Sequence, residues 1–164
     1  MKFLRADLAF LTGAADLESA LEPLMEKSAS NFSGVFESVR LRYAYALGKR
    51  GEAARAAPLV DEAERIAREK VEKGDQSPAL RIELAAASVL RGDNLGALEW
   101  VSRAYDAGFR DYGTLERDPI LAALAGDARF REILDRMRKD VAAQRARARD
   151  RGLLDVDALL APRK

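Results

Sequence analysis

The stretches GKRGEAARAAPLVDEA at residues 48–63 and VLRGDNLGALEWVSRA at residues 89–104 repeat one pattern. Each holds a glycine followed by an acidic residue, Gly51-Glu52 and Gly92-Asp93, and the two glycines lie 41 residues apart. Small and apolar residues then recur at matched places, which are Ala56, Val60 and Ala63 in the first stretch and Ala97, Val101 and Ala104 in the second. A glycine beside a polar residue is typical of a turn, and spacings of three and four indicate one face of a helix. The pattern therefore predicts two copies of an antiparallel helical hairpin.

The composition favours helices along the whole chain. Its 164 residues include 31 Ala and 22 Leu, against 8 Val, 4 Ile and 2 Thr. Alanine and leucine favour helices, whereas β-branched residues favour strands. A content of 48% hydrophobic and 34% charged residues excludes a disordered chain, and no apolar run reaches the roughly 18 residues of a membrane span. We predict an all-α protein without membrane insertion.

Glycine and proline residues divide the chain into helix-length pieces. We expect one helical domain over 1–164, with N-terminal helices in 1–33, the hairpin pair in 34–110 and C-terminal helices in 111–164. The predicted helices are 17–28, 35–47, 52–73, 78–90, 95–107, a short helix from Asp118-Pro119 to Ala125, a long helix from Gly126-Asp127 to Arg151, and an apolar piece at 153–160. Ser33 and Ser77 are predicted N-caps, because serine favours that position.

The two hairpins resemble the tetratricopeptide repeat family. The bulky-then-small pairs Tyr43-Ala44 and Leu84-Ala85 precede the turns, and small, large and small residues follow them, as in that family. The resemblance implies a right-handed superhelix of antiparallel hairpins, in which small residues let facing helices approach closely. The sequence departs from the family in its period of 41 rather than 34 and at Arg40, Arg81, Leu47, Ser88, Arg68 and Phe109.

The segment after the second hairpin is similar to the end of many bacterial tetratricopeptide arrays. It runs from Gly108 through Asp118-Pro119 to Asp127-Ala128-Arg129-Phe130. Such arrays are often tails of regulators, kinases or cyclases. The resemblance implies a capping role for the apolar residues Ile120, Leu121, Leu124, Phe130, Ile133, Leu134 and Met137.

The residue types argue against catalysis. The chain has no histidine and no cysteine, which excludes histidine acid–base chemistry, cysteine nucleophiles and the usual zinc sites. It also lacks the GxxxxGK[ST], GxGxxG and GxSxG motifs. Acidic pairs such as Glu62 and Glu69 are ordinary on charged helical faces. We predict a protein that is not an enzyme, with no catalytic, cofactor-binding or metal-binding residues.

The first helix of each hairpin supplies the candidate binding residues. Arg42, Tyr45 and Lys49 are spaced i, i+3, i+7 and would form a polar and aromatic stripe suited to an acidic peptide or a C-terminal carboxylate. Ordinary surface positions, or a core position for Tyr45, remain the alternative. In the second copy, Ile82 and Val89 predict either a hydrophobic groove or burial beneath another helix.

These residues predict a non-enzymatic adaptor or scaffold that binds a peptide or helix of a partner protein. A first alternative is a regulatory or scaffolding tail of a larger bacterial enzyme or enzyme complex. A second is nucleic-acid contact through the basic segment 129–151, which holds nine basic and four acidic residues. The overall charge of +1 supplies no general attraction for nucleic acid. The favoured interpretation of the basic segment is a helix end exposed to solvent.

Two further expectations concern assembly and location. So few hairpins are near the minimum for a self-supporting array, which favours a homodimer through an exposed end. Arg5 and Asp7 interrupt the apolar start of the chain, so we predict no signal peptide and a cytoplasmic location. The absence of cysteine fits any compartment.

Overall fold

The computed structural model describes residues 8–12, 17–25 and 38–152. Residues 8–12 are helical. The helices that follow are α1 (Leu17–Met25), α2 (Val39–Lys49), α3 (Ala53–Glu72), α4 (Pro78–Leu90), α5 (Asn94–Asp106), α6 (Tyr112–Arg117) and α7 (Ala128–Asp150), with a turn of 3-10 helix at Leu121–Leu124. Those three ranges contain no strand, so the all-α prediction is confirmed there. None of their helices is long and apolar enough to cross a membrane.

The two predicted hairpins share the same turn. Gly51 and Gly92 both have φ of +78°, a conformation that favours glycine. In the first turn, the N–H of Glu52 donates to the carbonyl of Leu47 at 3.0 Å. In the second, the N–H of Asp93 donates to the carbonyl of Ser88 at 2.9 Å. These bonds satisfy carbonyls at the helix end, as in a Schellman motif. The donor and the acceptor of the second bond each lie 41 positions after those of the first, which matches the repeat offset in the sequence.

The matched alanines lie where helices meet. Ala63, Ala97 and Ala104 are at most 1% exposed, and Ala56 is half-buried against the core. Helix α4 lies at the centre, because it contacts α2, α3, α5 and the 3-10 turn. Its three consecutive alanines, 85–87, are all completely buried. A helix that is buried on every side needs small residues on more than one face.

The C-terminal helices bury the predicted capping residues. All seven of them are at most 7% exposed, which are Ile120, Leu121, Leu124, Phe130, Ile133, Leu134 and Met137. Asp140 of α7 accepts a hydrogen bond from the Tyr105 hydroxyl at 3.0 Å and pairs with Arg110 at 3.0 Å. The guanidinium carbons of Arg110 and Arg136 lie 4.3 and 4.4 Å from the centre of the Tyr105 ring. These contacts hold α7 against the end of α5.

Several local predictions need correction or lie outside the described ranges. Ser77 is the N-cap residue of α4 but makes no capping hydrogen bond with its side chain, and Asp75 accepts from its N–H instead. The short helix predicted from Asp118-Pro119 to Ala125 is only a 3-10 turn at Leu121–Leu124, and the Asp118 carboxylate before it accepts from the N–H groups of Ile120 and Leu121. Helix α6 was not predicted. Ser33, residues 35–37 and the piece 153–160 fall outside the described residues.

The lone tryptophan packs between the hairpins. Trp100 contacts a small cluster formed by Ala67, Leu80 and Leu84. The guanidinium carbons of Arg68 and Arg103 lie 5.6 and 4.7 Å from its ring centre. The indole thus joins α3, α4 and α5.

The buried alanines allow a test of close helix approach. Replacing Ala97 or Ala104 with leucine should lower the free energy of unfolding by about 1–3 kcal/mol, because a filled core has no space for the added atoms. Urea denaturation followed by circular dichroism measures the change. Ala143→Leu is the matched control, since Ala143 is exposed on α7 and the larger residue there should have little effect. Equal stability of all three variants would contradict close packing at these alanines.

Candidate binding groove

A groove of about 520 Å³ opens where α2, α3 and the end of α4 meet. Its small and apolar lining consists of Ala44, Gly48, Ala53, Ala56, Ala57, Val60 and Leu90. Tyr45, Lys49, Asp61 and Arg91 complete the lining with an aromatic ring and three charged groups. Ligand sites commonly combine an apolar floor with a few polar groups that orient the ligand.

Small side chains create this space. Three alanines from the first turns of α3, Ala53, Ala56 and Ala57, line the groove in place of larger residues. A Cβ atom built on Gly48 would meet no heavy atom within 4 Å, so the backbone of α2 is open there. The alanine-rich start of α3 therefore serves both the helix and the groove.

The charged groups at the groove differ in how strongly they are paired. A terminal nitrogen of Arg91 lies 2.5 Å from a carboxylate oxygen of Asp61 and 2.8 Å from one of Glu64. The ammonium nitrogen of Lys49 lies 5.4 Å from the centre of the Tyr45 ring, and Lys49 is exposed. Because two carboxylates already hold Arg91, Lys49 is the better placed cation for a ligand carboxylate.

Arg42 lies inside the protein and not on the predicted stripe. It is 3% exposed, and its guanidinium carbon is 4.7 Å from the centre of the Phe10 ring. Phe10 is completely buried and meets Tyr45 edge to face, with ring centres 5.8 Å apart. Residues 8–12 thus cover this part of α2, and the prediction of Arg42 as a surface residue is wrong.

The remaining predicted residues divide between groove and core. Tyr45 and Lys49 line the groove together. Ile82 is completely buried, so burial beneath other helices, one of the two alternatives, is the correct one for it. Val89 is half-buried, packs against the core and does not line the groove. Neither Ile82 nor Val89 forms an apolar groove in the second hairpin.

Sequence reasoning missed most of the groove lining. Ala53, Ala57 and Arg91 were not predicted, because alanine on a helix and a residue before a glycine turn are common. Leu90 belongs with Ile82 and Val89 to the apolar residues for which the sequence predicts either a groove or burial. A useful signal was the run AARAA at residues 53–57, which places small side chains on several faces of one helical turn. The sequence alone does not predict the groove, because one of its walls comes from Leu90 and Arg91 at the end of α4.

Glu83 is the most deeply placed carboxyl group with a shifted pKa. Burial raises the pKa of Glu83, while hydrogen bonds from the Ser38 hydroxyl and N–H and the charges of Lys70 and Arg40 act in the opposite direction. Ser38 is the N-cap of α2, so this contact joins α4 to the start of α2. Glu83 does not line the groove. Its position favours a structural role.

Burial and the hydrogen bond to Glu18 raise the pKa of Tyr43. The remaining shifted groups belong to helix caps and surface ion pairs. The guanidinium of Arg65 lowers the pKa of Glu62, and the side chain and N–H of Arg129 lower that of the capping Asp127.

Over the residues whose positions are described, no group of three acidic residues is arranged to hold a metal ion.

Comparisons of the chain with protein-family models, curated proteins and solved structures found no match. Function is therefore inferred from the groove, from its charges and from the exposed end of α7.

The raised pKa of Glu83 predicts a stability that depends on pH. Because its folded pKa lies above its ordinary value of 4.5, the contribution of Glu83 to stability is fully present below that pH and is lost as pH rises through the folded pKa. Glu83→Gln should remove this pH-dependent loss. Urea denaturation of both proteins from pH 4 to 8 should show the variant gaining stability relative to the wild type as pH rises.

A second variant separates burial from hydrogen bonding at this site. Ser38→Ala removes a donor that favours the ionised carboxylate, so the decline of stability with pH should become steeper. Identical pH profiles for wild type and Glu83→Gln would show that burial does not shift this carboxyl group.

Proposed function

We propose that this protein is a non-enzymatic interaction module that binds a peptide or helix of a partner protein in the groove between α2, α3 and α4. The single observation that carries the proposal is the groove itself, which combines an alanine floor with Tyr45 and an exposed Lys49. The ligand would be a short apolar segment that also carries an acidic residue.

The chemistry of the lining supports this ligand class. The free energy falls when apolar side chains of a ligand leave water and pack on Ala53, Ala56, Ala57 and Leu90. Lys49 offers a charge-assisted hydrogen bond to a carboxylate, and the Tyr45 ring gives a rigid aromatic contact of the kind enriched at binding hot spots. None of these groups needs to perform chemistry on the ligand.

We further propose that the hairpins form a tetratricopeptide-like right-handed array. The two identical glycine turns and the buried matched alanines support a repeated unit. In such an array the unit stacks on its neighbours and presents an extended rigid surface. A rigid surface loses little entropy on binding, which suits an adaptor.

Selection of peptides from a random display library tests the proposed groove. Selected peptides should combine apolar residues with at least one acidic residue. Ala57→Trp should weaken their binding at least about tenfold, which corresponds to about 1.4 kcal/mol, because the indole would fill the groove. Lys49→Glu should weaken the binding of acidic peptides and leave the binding of neutral peptides unchanged. Fluorescence anisotropy with labelled peptides measures both effects.

Ala54→Trp is the matched control for the filled groove. Ala54 is exposed on the same helix and does not line the groove, so this variant should bind like the wild type. Peptides that bind equally well to Ala57→Trp would show that the groove is not the binding site.

A second candidate function is contact with nucleic acid through the end of α7. The observation that favours it is the exposure of Arg145, Arg147, Arg149 and Arg151, with Asp150 as the one acidic residue among residues 141–151. These arginines alternate along the helix, so Arg145 and Arg149 lie on one face and Arg147 and Arg151 lie on the opposite one. Each pair can contact phosphates, but neither provides base readout.

Salt dependence tests this second candidate. If the four arginines contact phosphates, the logarithm of the affinity for duplex DNA should fall with the logarithm of salt concentration by about 0.9 per contact. The double variant Arg145→Ala/Arg149→Ala should reduce that slope by about two such contacts. Arg55→Ala/Arg65→Ala, at exposed positions of α3, should leave it unchanged. Absence of any shift in a gel at low salt would exclude this function.

A further inference from the structure

We propose that residues 153–160 of one copy of this chain bind in the groove of a second copy, so that two copies form a reciprocal dimer. The inference rests on the proposed binding function of the groove and names one occupant for it. The segment follows α7 directly and lies outside the described residues.

The sequence of this segment matches the lining of the groove. It reads LLDVDALL and contains five large apolar residues together with Asp155 and Asp157. The apolar residues suit the floor of alanine, valine and leucine, and the aspartates suit the exposed Lys49. The segment carries no basic residue that would oppose Lys49 or Arg91. Asp61, the acidic residue of the lining, is already paired with Arg91.

The volume of the groove limits what enters it. About 520 Å³ falls within the range of about 300–1,000 Å³ that is typical of sites for small ligands. The groove therefore accepts a few side chains of the segment, and the rest of the segment lies at its edge. Leu159 and Leu160, adjacent and followed by Ala161, are the apolar pair nearest the end of the segment.

The geometry of α7 favours a second copy over the same chain. Asp140 contacts Tyr105 and Arg110, which lie at the end of α5 that is distant from the Gly92 turn. The groove includes Arg91, beside that turn. The 13 residues of α5 separate the two places by about 20 Å.

The helix then continues away from its last contacts. Residues 141–150 add about 15 Å to α7 beyond Asp140. Residues 142–147 are all exposed, so this part of α7 does not fold back along its own hairpins. Residues 149–152 are exposed as well, and none of them lines the groove of their own chain. The proposal therefore takes the segment from a second copy.

Reciprocal exchange gives a closed assembly. If each copy inserts its segment into the groove of the other, the same contact occurs twice around a two-fold axis, and no groove or segment remains unused. The protruding α7 helices would then span the distance between the two bodies.

The oligomeric state of the full chain tests the inference. Sedimentation velocity over a range of concentrations should show a dimer for the wild type. The double variant Leu159→Asp/Leu160→Asp, which alters the segment, and Ala57→Trp, which fills the groove, should each weaken dimerisation at least about tenfold. Ala54→Trp should dimerise like the wild type. Unchanged circular dichroism shows that each variant is folded.

Mixing the two defective variants gives the sharpest result. Ala57→Trp retains an intact segment and Leu159→Asp/Leu160→Asp retains an intact groove, so the mixture should form a heterodimer that neither variant forms alone. A wild type that stays monomeric, or variants that both stay dimeric, would overturn the inference.

The peptide selection separates this inference from the proposed function. A monomeric wild type whose groove still binds selected peptides would exclude only the exchange of residues 153–160. A groove that binds neither library peptides nor a synthetic peptide of residues 151–164 would exclude both. If the exchange occurs, Leu159→Asp/Leu160→Asp should bind selected peptides more tightly than the wild type, because its own segment no longer competes.

Discussion

The close approach of helices at alanine is the physical constraint that organises this protein. Helix α4 contacts α2, α3, α5 and the 3-10 turn, and its alanines 85–87 have no exposed surface. Three consecutive residues point to three sides of a helix, so all three sides must admit a neighbour. Larger side chains would hold the neighbouring helices apart, and the packing of α5 under the C-terminal cap would be lost with them.

The same use of small residues produces the groove. Alanines at positions 63, 97 and 104 are covered by neighbouring helices, whereas those at 53, 56 and 57 face a space that none of the described helices fills. One residue type thus has two outcomes, which depend on whether a facing element is present. At the groove, small side chains remain uncovered at a junction of three described helices, and the proposed ligand would complete that packing.

The sequence predicted local structure better than it predicted neighbours. Helices α3, α4 and α5 begin and end within one residue of the predicted bounds, because glycine turns and the apolar period fix them locally. Arg42 shows where this reasoning fails, since its cover comes from Phe10, 32 positions earlier in the chain. Helical spacing places a residue on a face of its helix, but the element that covers this face depends on the whole fold. The same spacing predicted Tyr45 and Lys49, and these two do line the groove because none of the described elements covers them fully.

The contact between Phe10 and Arg42 also limits how far the chain can be truncated from its N-terminal side. A guanidinium that is 3% exposed beneath an aromatic ring would lose its cover if a shortened version of the chain began after residue 12. Water and solvent ions would then reach the wall of α2 beside Tyr45, and the edge of the groove would change its shape and polarity. Residues 8–12 are therefore part of the folded unit, and its minimal boundary lies upstream of Phe10.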